Sequence, residues 1–268
     1  MKKKFKQEFL IPKFNIRKKL LAPPLTKNYS LVGTAFDYLL RFYIKYLNPN
    51  VIMITEKLAA EITLELIKDD KNLYEKASKI ISDARKNYSI FLQNGKINNN
   101  LIKSALLLAQ LELIYRAGPS YLENIRNKIG IIDSKDIKDL KKLISIVNPR
   151  IFRAKYLCIL NPLFKNIPLL IGKADADLVI DDMIIEIKTT KEFKLKRKHF
   201  NQLIGYYVLY KLGGIYKMPS KYKINKLGIY FSRYGYLHVI HIKDIFDKNK
   251  LQNFLKWFKK RSSFSINF

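Results

Sequence analysis

The spacing of apolar residues changes near residue 150 and divides the chain into a helical part and a mixed part. A first helix is predicted over residues 30–47, because apolar side chains recur there every three or four positions, at Val32, Phe36, Leu39, Tyr43 and Leu47. Five more helical segments follow, separated by breaks rich in Gly, Pro, Asn and Asp: residues 56–68, 73–92, 100–117, 120–128 and 135–147. We therefore expect a first core helix within residues 29–50 and an inserted all-helical lobe within 51–150.

Beyond residue 150 the apolar positions alternate or run together, as they do in strands. One strand is predicted at 155–160 and hairpins at 171–190 and 226–242, with helices at 199–212 and 244–260. This order predicts an α/β domain, with a central mixed β-sheet flanked by helices, within residues 151–268. Residues 1–28 are basic and contain two adjacent prolines, and are expected to form a basic extended arm.

Chemically useful residues concentrate in the hairpin at 171–190, IGKADADLVIDDMIIEIKTT. Asp175 and Asp177 are two apart on its first strand, and Glu186 and Lys188 are two apart on its second. Strand alternation therefore places each pair on one face. The alternative is a hairpin with ordinary charged residues on its solvent face.

Carboxylates in this arrangement suit a Mg²⁺ or Mn²⁺ ion, because hard cations prefer oxygen ligands and keep several waters. Asp175 and Glu186 would be the protein ligands, together with the main-chain carbonyl of Ile187. Lys188 would direct its ammonium at an attacking water or at the charge that develops on a phosphate. The pattern favours metal-dependent hydrolysis of phosphodiester bonds.

The charge balance agrees with a nucleic-acid partner. The chain has 51 Lys and Arg against 22 Asp and Glu, a formal net charge of +29. Nucleic acid fits this excess better than a membrane, because basic residues are spread along the whole chain and no apolar run has the length of a spanning helix. The alternative is a lysine-rich composition from an AT-biased genome. The basic start lacks the apolar core of a signal peptide, so a cytoplasmic protein is expected.

Cysteine and histidine usage narrows the metal chemistry. The single cysteine, Cys158, excludes a four-cysteine iron–sulfur cluster and a zinc site built on paired cysteines within this sequence. Three scattered histidines also make a poor metal cage, so carboxylates would be the main ligands. Asp37 is a further candidate functional residue, because it lies on the flank of the first helix's apolar stripe and not opposite it. A solvated aspartate is the alternative for that position.

Four short motifs, in order along the chain, resemble those of the PD-(D/E)XK nuclease superfamily and specifically its RecB-like exonuclease branch. GTAFD at 33–37 is similar to the first-helix motif GxxxH, and GKAD at 172–175 to GxxD. EIK at 186–188 is similar to (D/E)xK, and QLIGY at 202–206 to QxxxY. The resemblance covers about residues 30–47 and 153–242 and leaves the helical lobe unmatched.

The resemblance implies a PD-(D/E)XK-type core and exonuclease-like, Mg²⁺-dependent cleavage of DNA. It gives Asp175 and Glu186 the role of metal ligands and Lys188 a catalytic role. It also implies that Gln202 and Tyr206, one helical turn apart, face the site and position the nucleic-acid strand. The alternative is a helix with Tyr206 in the core and Gln202 at the surface.

The sequence departs from the family pattern at two places. Asp37 stands where the branch usually has a histidine, so a metal ligand is preserved in principle. Asp177 is an extra carboxylate on the face of Asp175, and it is the reserve ligand because the GxxD spacing selects Asp175. These departures keep two other functions open: a catalytically inactive nuclease fold that binds DNA or acts as a scaffold, and an RNA-processing nuclease.

Possible partners follow from what the sequence contains and lacks. Between residues 191 and 223, nine basic residues oppose one acid, and the candidates for phosphate contacts are Lys194, Lys196, Arg197 and Lys198. DNA is therefore the expected partner. No helicase P-loop is present, so a motor would have to come from a helicase or another protein of a repair or defence complex.

Overall fold

A six-stranded mixed sheet forms the centre of the computed structural model, which describes residues 2–165 and 175–263. The strands lie side by side in chain order: β1 (Ile52–Met53), β2 (Cys158–Leu160), β3 (Leu178–Ile180), β4 (Met183–Lys188), β5 (Lys226–Phe231) and β6 (Tyr236–His241). The pairs β1–β2 and β4–β5 are parallel, and the other neighbours are antiparallel. This confirms the predicted α/β class and mixed sheet.

Helices cover both faces of this sheet. In chain order they are α1 (Lys2–Glu8), α2 (Tyr29–Leu47), α3 (Ile62–Leu66), α4 (Lys71–Asn94), α5 (Asn99–Ala117), α6 (Pro119–Ile125), α7 (Ser134–Ser145), α8 (Pro149–Phe152), α9 (Arg197–Gly213) and α10 (Lys248–Ser263). Among these described helices, none is both long and apolar enough to cross a membrane.

Local sequence signals explain the ends of the long helices. The Asp70 carboxylate accepts a hydrogen bond from the Leu73 N–H at 3.1 Å and caps α4. Gly95 ends that helix with a φ of 66°, a left-handed conformation that favours glycine. Asn98 then caps α5 in the same way, through the Leu101 N–H at 2.9 Å. The four-residue connection, residues 95–98, places α4 and α5 side by side as antiparallel neighbours.

Alternation along the strands divides the core into two. Leu178, Ile180 and Ile185 pack in one core with α2, α4, α5 and α7. Val179 and Ile184 point the other way and pack with α1, α9 and α10. The result is three layers, helices on a sheet on helices. The helices of residues 51–150 therefore share a core with the sheet, since one apolar cluster includes both.

The N-terminal segment differs from the predicted extended arm over its first residues, which form α1. Phe5 and Phe9 are one helical turn apart, and both pack edge-on against Phe254 of α10, at ring distances of 5.1 and 4.8 Å. Burial of these two rings stabilises a helix that its local sequence does not predict. Residues 9–28, called the arm below, contain neither helix nor strand.

The helical lobe expected over residues 51–150 also contains one element of another kind, the strand β1. It is only two residues long and pairs with β2 through Ile52 and Met53. Two residues are too few to show an alternating pattern, so the sequence does not predict this strand.

Candidate functional site

The first helix reaches the end of the sheet at which β4 finishes. A side-chain carbon built on Gly33 of α2 would lie 3.8 Å from the Cβ of Thr189, which directly follows β4. One turn further along α2, the charge of the Asp37 carboxylate acts on Asp177 and on Glu186. Residues more than a hundred positions apart therefore come within range of one another's charge. We call Asp37, Asp177 and Glu186 the acidic cluster.

Asp177 occupies the middle of the acidic cluster. Its carboxylate accepts a hydrogen bond from the backbone N–H of Ile187 at 2.6 Å, which fixes it beside β4. Burial raises the pKa of Asp177 well above its ordinary value, and the charges of Glu186 and Asp37 raise it further. The hydrogen bond from Ile187 and the charge of Lys188 oppose this rise without cancelling it.

Glu186 belongs to a closed ring of side-chain hydrogen bonds with three other residues. The Lys188 ammonium donates to Glu186 at 2.5 Å and to the Gln202 side-chain oxygen at 3.1 Å. The Gln202 amide donates to the Tyr206 hydroxyl at 2.6 Å, and that hydroxyl donates to Glu186 at 3.1 Å. We call these four residues the polar ring. Its members come from β4 and α9, and each holds the others in place.

The polar ring leaves Glu186 only partly stabilised. Burial raises the pKa of Glu186, against the opposing charge of Lys188. Gln202 and Tyr206 face Glu186 and Lys188 because they are four apart on a helix that packs against β4. Tyr206 is also a core residue, since its ring stacks on Phe164 at 5.6 Å. The Tyr206 hydroxyl thus faces Glu186, while its ring belongs to the core.

Asp37 has one oxygen in an ion pair with Arg41, one turn later on α2. The other oxygen, Oδ1, is buried and has no hydrogen-bond partner among the described residues. Burial raises the pKa of Asp37, Arg41 opposes this rise, and Glu112 of α5 adds to it. Asp37 is therefore not the solvated aspartate of the alternative interpretation.

Asp175 lies apart from this geometry. It is exposed, and among the described residues it pairs with Leu163 in an isolated bridge, whereas β3 begins at Leu178. The pairing becomes irregular just after β2, where Asn161 adopts a left-handed φ of 48° and Pro162 has no N–H to donate, although the Asn161 N–H still donates to the Asp177 carbonyl at 3.1 Å. The expected regular alternation across Asp175 and Asp177 consequently fails, and Asp177 alone enters the acidic cluster. Residues 172–174 of the GxxD motif lie outside the described residues.

Sequence reasoning missed three residues beside the site. Arg41 could have been found, because it is four positions after Asp37 on a predicted helix. Glu112 is fully buried on α5 and ion-pairs with Arg116, but at core spacing it carries no local signal of function. His199 lies three positions before Gln202. Burial and the charge of Lys188 lower its pKa to about 4, which keeps the imidazole neutral.

The four basic candidates for nucleic-acid contact take different roles. Lys194 and Lys198 are exposed. Lys196 forms an exposed ion pair with Glu192 at 2.7 Å. Arg197 instead donates to the carbonyl of Phe9 at 2.7 Å and so ties the start of the arm to α9.

The acidic cluster has the oxygen donors that a hard cation prefers, but the donors are not spaced to hold one. Within residues 2–165 and 175–263, no group of three or more His, Cys, Asp or Glu side chains is arranged to hold a metal ion. Yet the unpartnered oxygen of Asp37 and the mutual repulsion of the three carboxylates are what a divalent cation would relieve. Arg41 and Lys188 supply positive charge there instead.

Comparison of the chain with family models, curated proteins and solved structures finds no match.

Proposed function

We propose that this protein is a metal-dependent nuclease that hydrolyses phosphodiester bonds in DNA, with an exonuclease-like, PD-(D/E)XK-type core. The observation that supports it is the convergence of Asp37, Asp177, Glu186, Lys188 and Gln202 at one end of the sheet, from three separate elements and one loop. Each residue type in that set has a role in phosphodiester hydrolysis, and ordinary folding does not require four ionisable groups, one buried and three half-buried, to lie together.

In this proposal, Asp177 replaces Asp175 as the carboxylate that holds metal together with Glu186, because only Asp177 lies beside Glu186. Asp37 and the carbonyl of Ile187 are the further candidate ligands. A bound Mg²⁺ or Mn²⁺ would neutralise charge on the scissile phosphate and make a water molecule easier to deprotonate. The carboxyl groups would then be ionised at neutral pH, since a cation removes the repulsion that raises their pKa.

Lys188 is the residue proposed to act on the reacting groups. Its ammonium is held by Glu186 and Gln202, so its direction is fixed before substrate binds. It can donate a hydrogen bond to the attacking water or to a phosphate oxygen. Tyr206 supports the arrangement through Gln202 and Glu186, and it is a positioning residue in this scheme.

The direct experiment is a cleavage assay on labelled single-stranded, double-stranded, linear and circular DNA, with matched RNA, across a Mg²⁺ and Mn²⁺ titration. Glu186→Gln, Lys188→Met and Asp177→Asn should each reduce the rate at least about 100-fold, because each removes a charge used in the transition state. Asp175→Asn is the matched control and should keep nearly the wild-type rate. Wild-type cleavage by folded Glu186→Gln protein would overturn the catalytic assignment.

A second candidate function is a nuclease-like fold that binds DNA without cutting it. One observation favours it: Arg41 pairs with Asp37 and Lys188 pairs with Glu186, so side-chain cations already partly neutralise the carboxylates. DNA binding without metal-dependent cleavage of any of these substrates would support this candidate. Cleavage confined to the RNA substrates would instead indicate an RNA-processing nuclease.

A further inference from the structure

The arm is fastened to the body of the protein at both ends. At its start, Arg197 of α9 donates to the carbonyl of Phe9 at 2.7 Å. At its other end, the N–H groups of Leu21 and Ala22 donate to the carbonyl of Arg233, at 3.1 and 3.0 Å. The Arg233 guanidinium in turn donates to the Ala22 carbonyl at 3.0 Å. These contacts give the arm a fixed course although it contains no helix or strand.

The middle of the arm crosses the ends of β5 and β6. The ring of Phe14 lies 5.8 Å from the ring of Phe231 and 4.8 Å from that of His238. Further along, the Lys18 ammonium lies 5.1 Å from the centre of the Tyr236 ring. Phe231 ends β5 and Tyr236 begins β6, so the arm covers one defined end of the sheet.

That end is the one that carries the candidate site. Lys188 pairs with Phe231 across β4 and β5, and Phe231 pairs with Tyr236 across β5 and β6. Paired residues on neighbouring strands point to the same face of a sheet. Two strand spacings of about 4.8 Å put Tyr236 roughly 10 Å from Lys188 on that face. Lys18 above Tyr236 is therefore close enough for one nucleic-acid strand to reach both.

The arm carries positive charge without any opposing acid. Residues 9–28 contain five basic and no acidic residues, and four of the five fall within seven positions. These four, Lys13, Arg17, Lys18 and Lys19, are all exposed. The exposed Lys191 and Lys194 lie on the segment that leads from β4 to α9, and Phe193 of that segment packs on Phe14 at 5.1 Å. Two basic segments thus run together beside the site.

We propose that the arm binds the phosphate backbone of the DNA strand that enters the site, as the second side of a substrate path whose first side is the segment of residues 189–196. This inference rests on the proposed nuclease function. A distance of about 10 Å is short on the scale of a DNA strand, so the arm would contact phosphates within a few nucleotides of the cleaved bond. Such contacts are independent of sequence.

The test compares two quadruple variants with the same loss of charge. The arm variant carries Lys13→Gln, Arg17→Gln, Lys18→Gln and Lys19→Gln. The control variant changes four exposed lysines of α4 and α5 on the opposite layer: Lys71→Gln, Lys79→Gln, Lys86→Gln and Lys103→Gln. Binding of a fluorescent DNA of about 20 nucleotides is measured in EDTA from about 50 to 200 mM salt, with gels confirming that the DNA stays intact.

We expect the arm variant to bind at least about 10-fold more weakly. The negative slope of log K against log salt should become shallower by about 3, because each of the four lost phosphate contacts removes roughly 0.7 to 0.9. The control should change binding less than about 2-fold. Equal weakening of both variants would overturn the proposal, since net charge alone would then explain binding. Preference for RNA of the same length would overturn the choice of DNA.

Two further measurements keep the result interpretable. If the arm variant does not fold by circular dichroism, the single variants Arg17→Gln and Lys18→Gln should each still lower the salt slope by nearly one unit. Because binding is measured without cleavage, failure of the nuclease proposal leaves this test intact. Active protein whose arm variant binds like the control would instead refute the arm's role alone.

Discussion

Two buried groups of charged side chains lie in this protein and differ in how well their charges are matched. The first is the ion pair of Arg233 and Asp139, both essentially inaccessible to solvent. The guanidinium donates to both carboxylate oxygens, at 2.8 and 3.1 Å, and the Leu25 N–H donates to one of them at 3.2 Å. This pair is bidentate and joins the arm, α7 and the turn after β5.

The second group is the acidic cluster, in which negative charges are poorly balanced by positive ones. Three carboxyl groups share the charges of Arg41 and Lys188, one oxygen of Asp37 has no partner among the described residues, and burial raises the pKa of all three acids. Under the proposed function, the contrast separates a structural ion pair from a metal-binding cluster. A buried charge is costly unless it is paired, and a bound cation would supply the pairing that the acidic cluster lacks.

The largest effect expected from this contrast is on the matched pair. Asp139→Asn leaves the Arg233 charge buried without its partner and should lower the free energy of unfolding by about 3 to 5 kcal/mol. Chemical denaturation followed by circular dichroism measures this change. Glu192→Gln is the matched control, because it also removes one carboxylate from an ion pair, but an exposed one. It should leave the unfolding midpoint unchanged. Equal stability of the two variants would refute the structural role of the pair.

The sequence predicts the elements whose signals are local. The helices α2, α4, α5 and α9 and the strands β4 to β6 fall where periodicity predicts them, because the side chains that set the period lie within each element. The helix α1 and the strand β1 depend on distant partners, Phe254 and β2, and are missed. The ion pair of Arg233 and Asp139 spans 94 positions, and neither residue has a neighbour that suggests it.

The candidate site also contains some features that local sequence signals predict and others that depend on distant residues. Strand alternation pairs Glu186 with Lys188, and helical spacing pairs Gln202 with Tyr206. That the two pairs meet is implied only by the family resemblance, and the hydrogen bonds between β4 and α9 do join them. The choice between Asp175 and Asp177 does not follow from their own strand. It depends on the left-handed Asn161 and on Pro162 in the neighbouring chain segment, a pairing that only the folded sheet reveals.

A smaller change in the free energy of unfolding, of opposite sign, is expected from a substitution in the acidic cluster. Asp177→Asn removes a repelled buried charge and should raise the stability of the metal-free protein at neutral pH by about 1 kcal/mol. The same substitution at Asp181 is the control within the hairpin. The Asp181 carboxylate accepts from the N–H groups of Lys155, Tyr156 and Leu157, at 2.8 to 3.2 Å. Asn tolerates its φ of 51°, so Asp181→Asn tests the loss of charge alone.

Asp181→Asn should therefore destabilise by about 1 kcal/mol, while Asp177→Asn stabilises. Thermal unfolding in EDTA measures both changes in stability. Added Mg²⁺ should then raise the melting temperature of the wild type more than that of Asp177→Asn, if Asp177 is a ligand. Destabilisation by both substitutions would show that the charge of Asp177 is matched after all.

The smallest expected effect is a change with pH in the stability difference between Asp177→Asn and the wild type. Asp177 has a raised pKa in the folded protein, so the folded state keeps its proton at pH values where the unfolded chain has lost it. Asp177 does not lower the stability of the protein below the pKa of an unfolded aspartate, near 3.8. Above that pH it lowers the stability increasingly, until the pH reaches the pKa of Asp177 in the folded protein. The advantage of Asp177→Asn over the wild type should accordingly be smaller at about pH 5 than at about pH 8. Denaturant titrations of both proteins in EDTA at the two pH values measure it. An advantage that shrinks as the pH rises would mean that the folded protein stabilises the Asp177 anion, and the contrast with Asp139 would no longer hold.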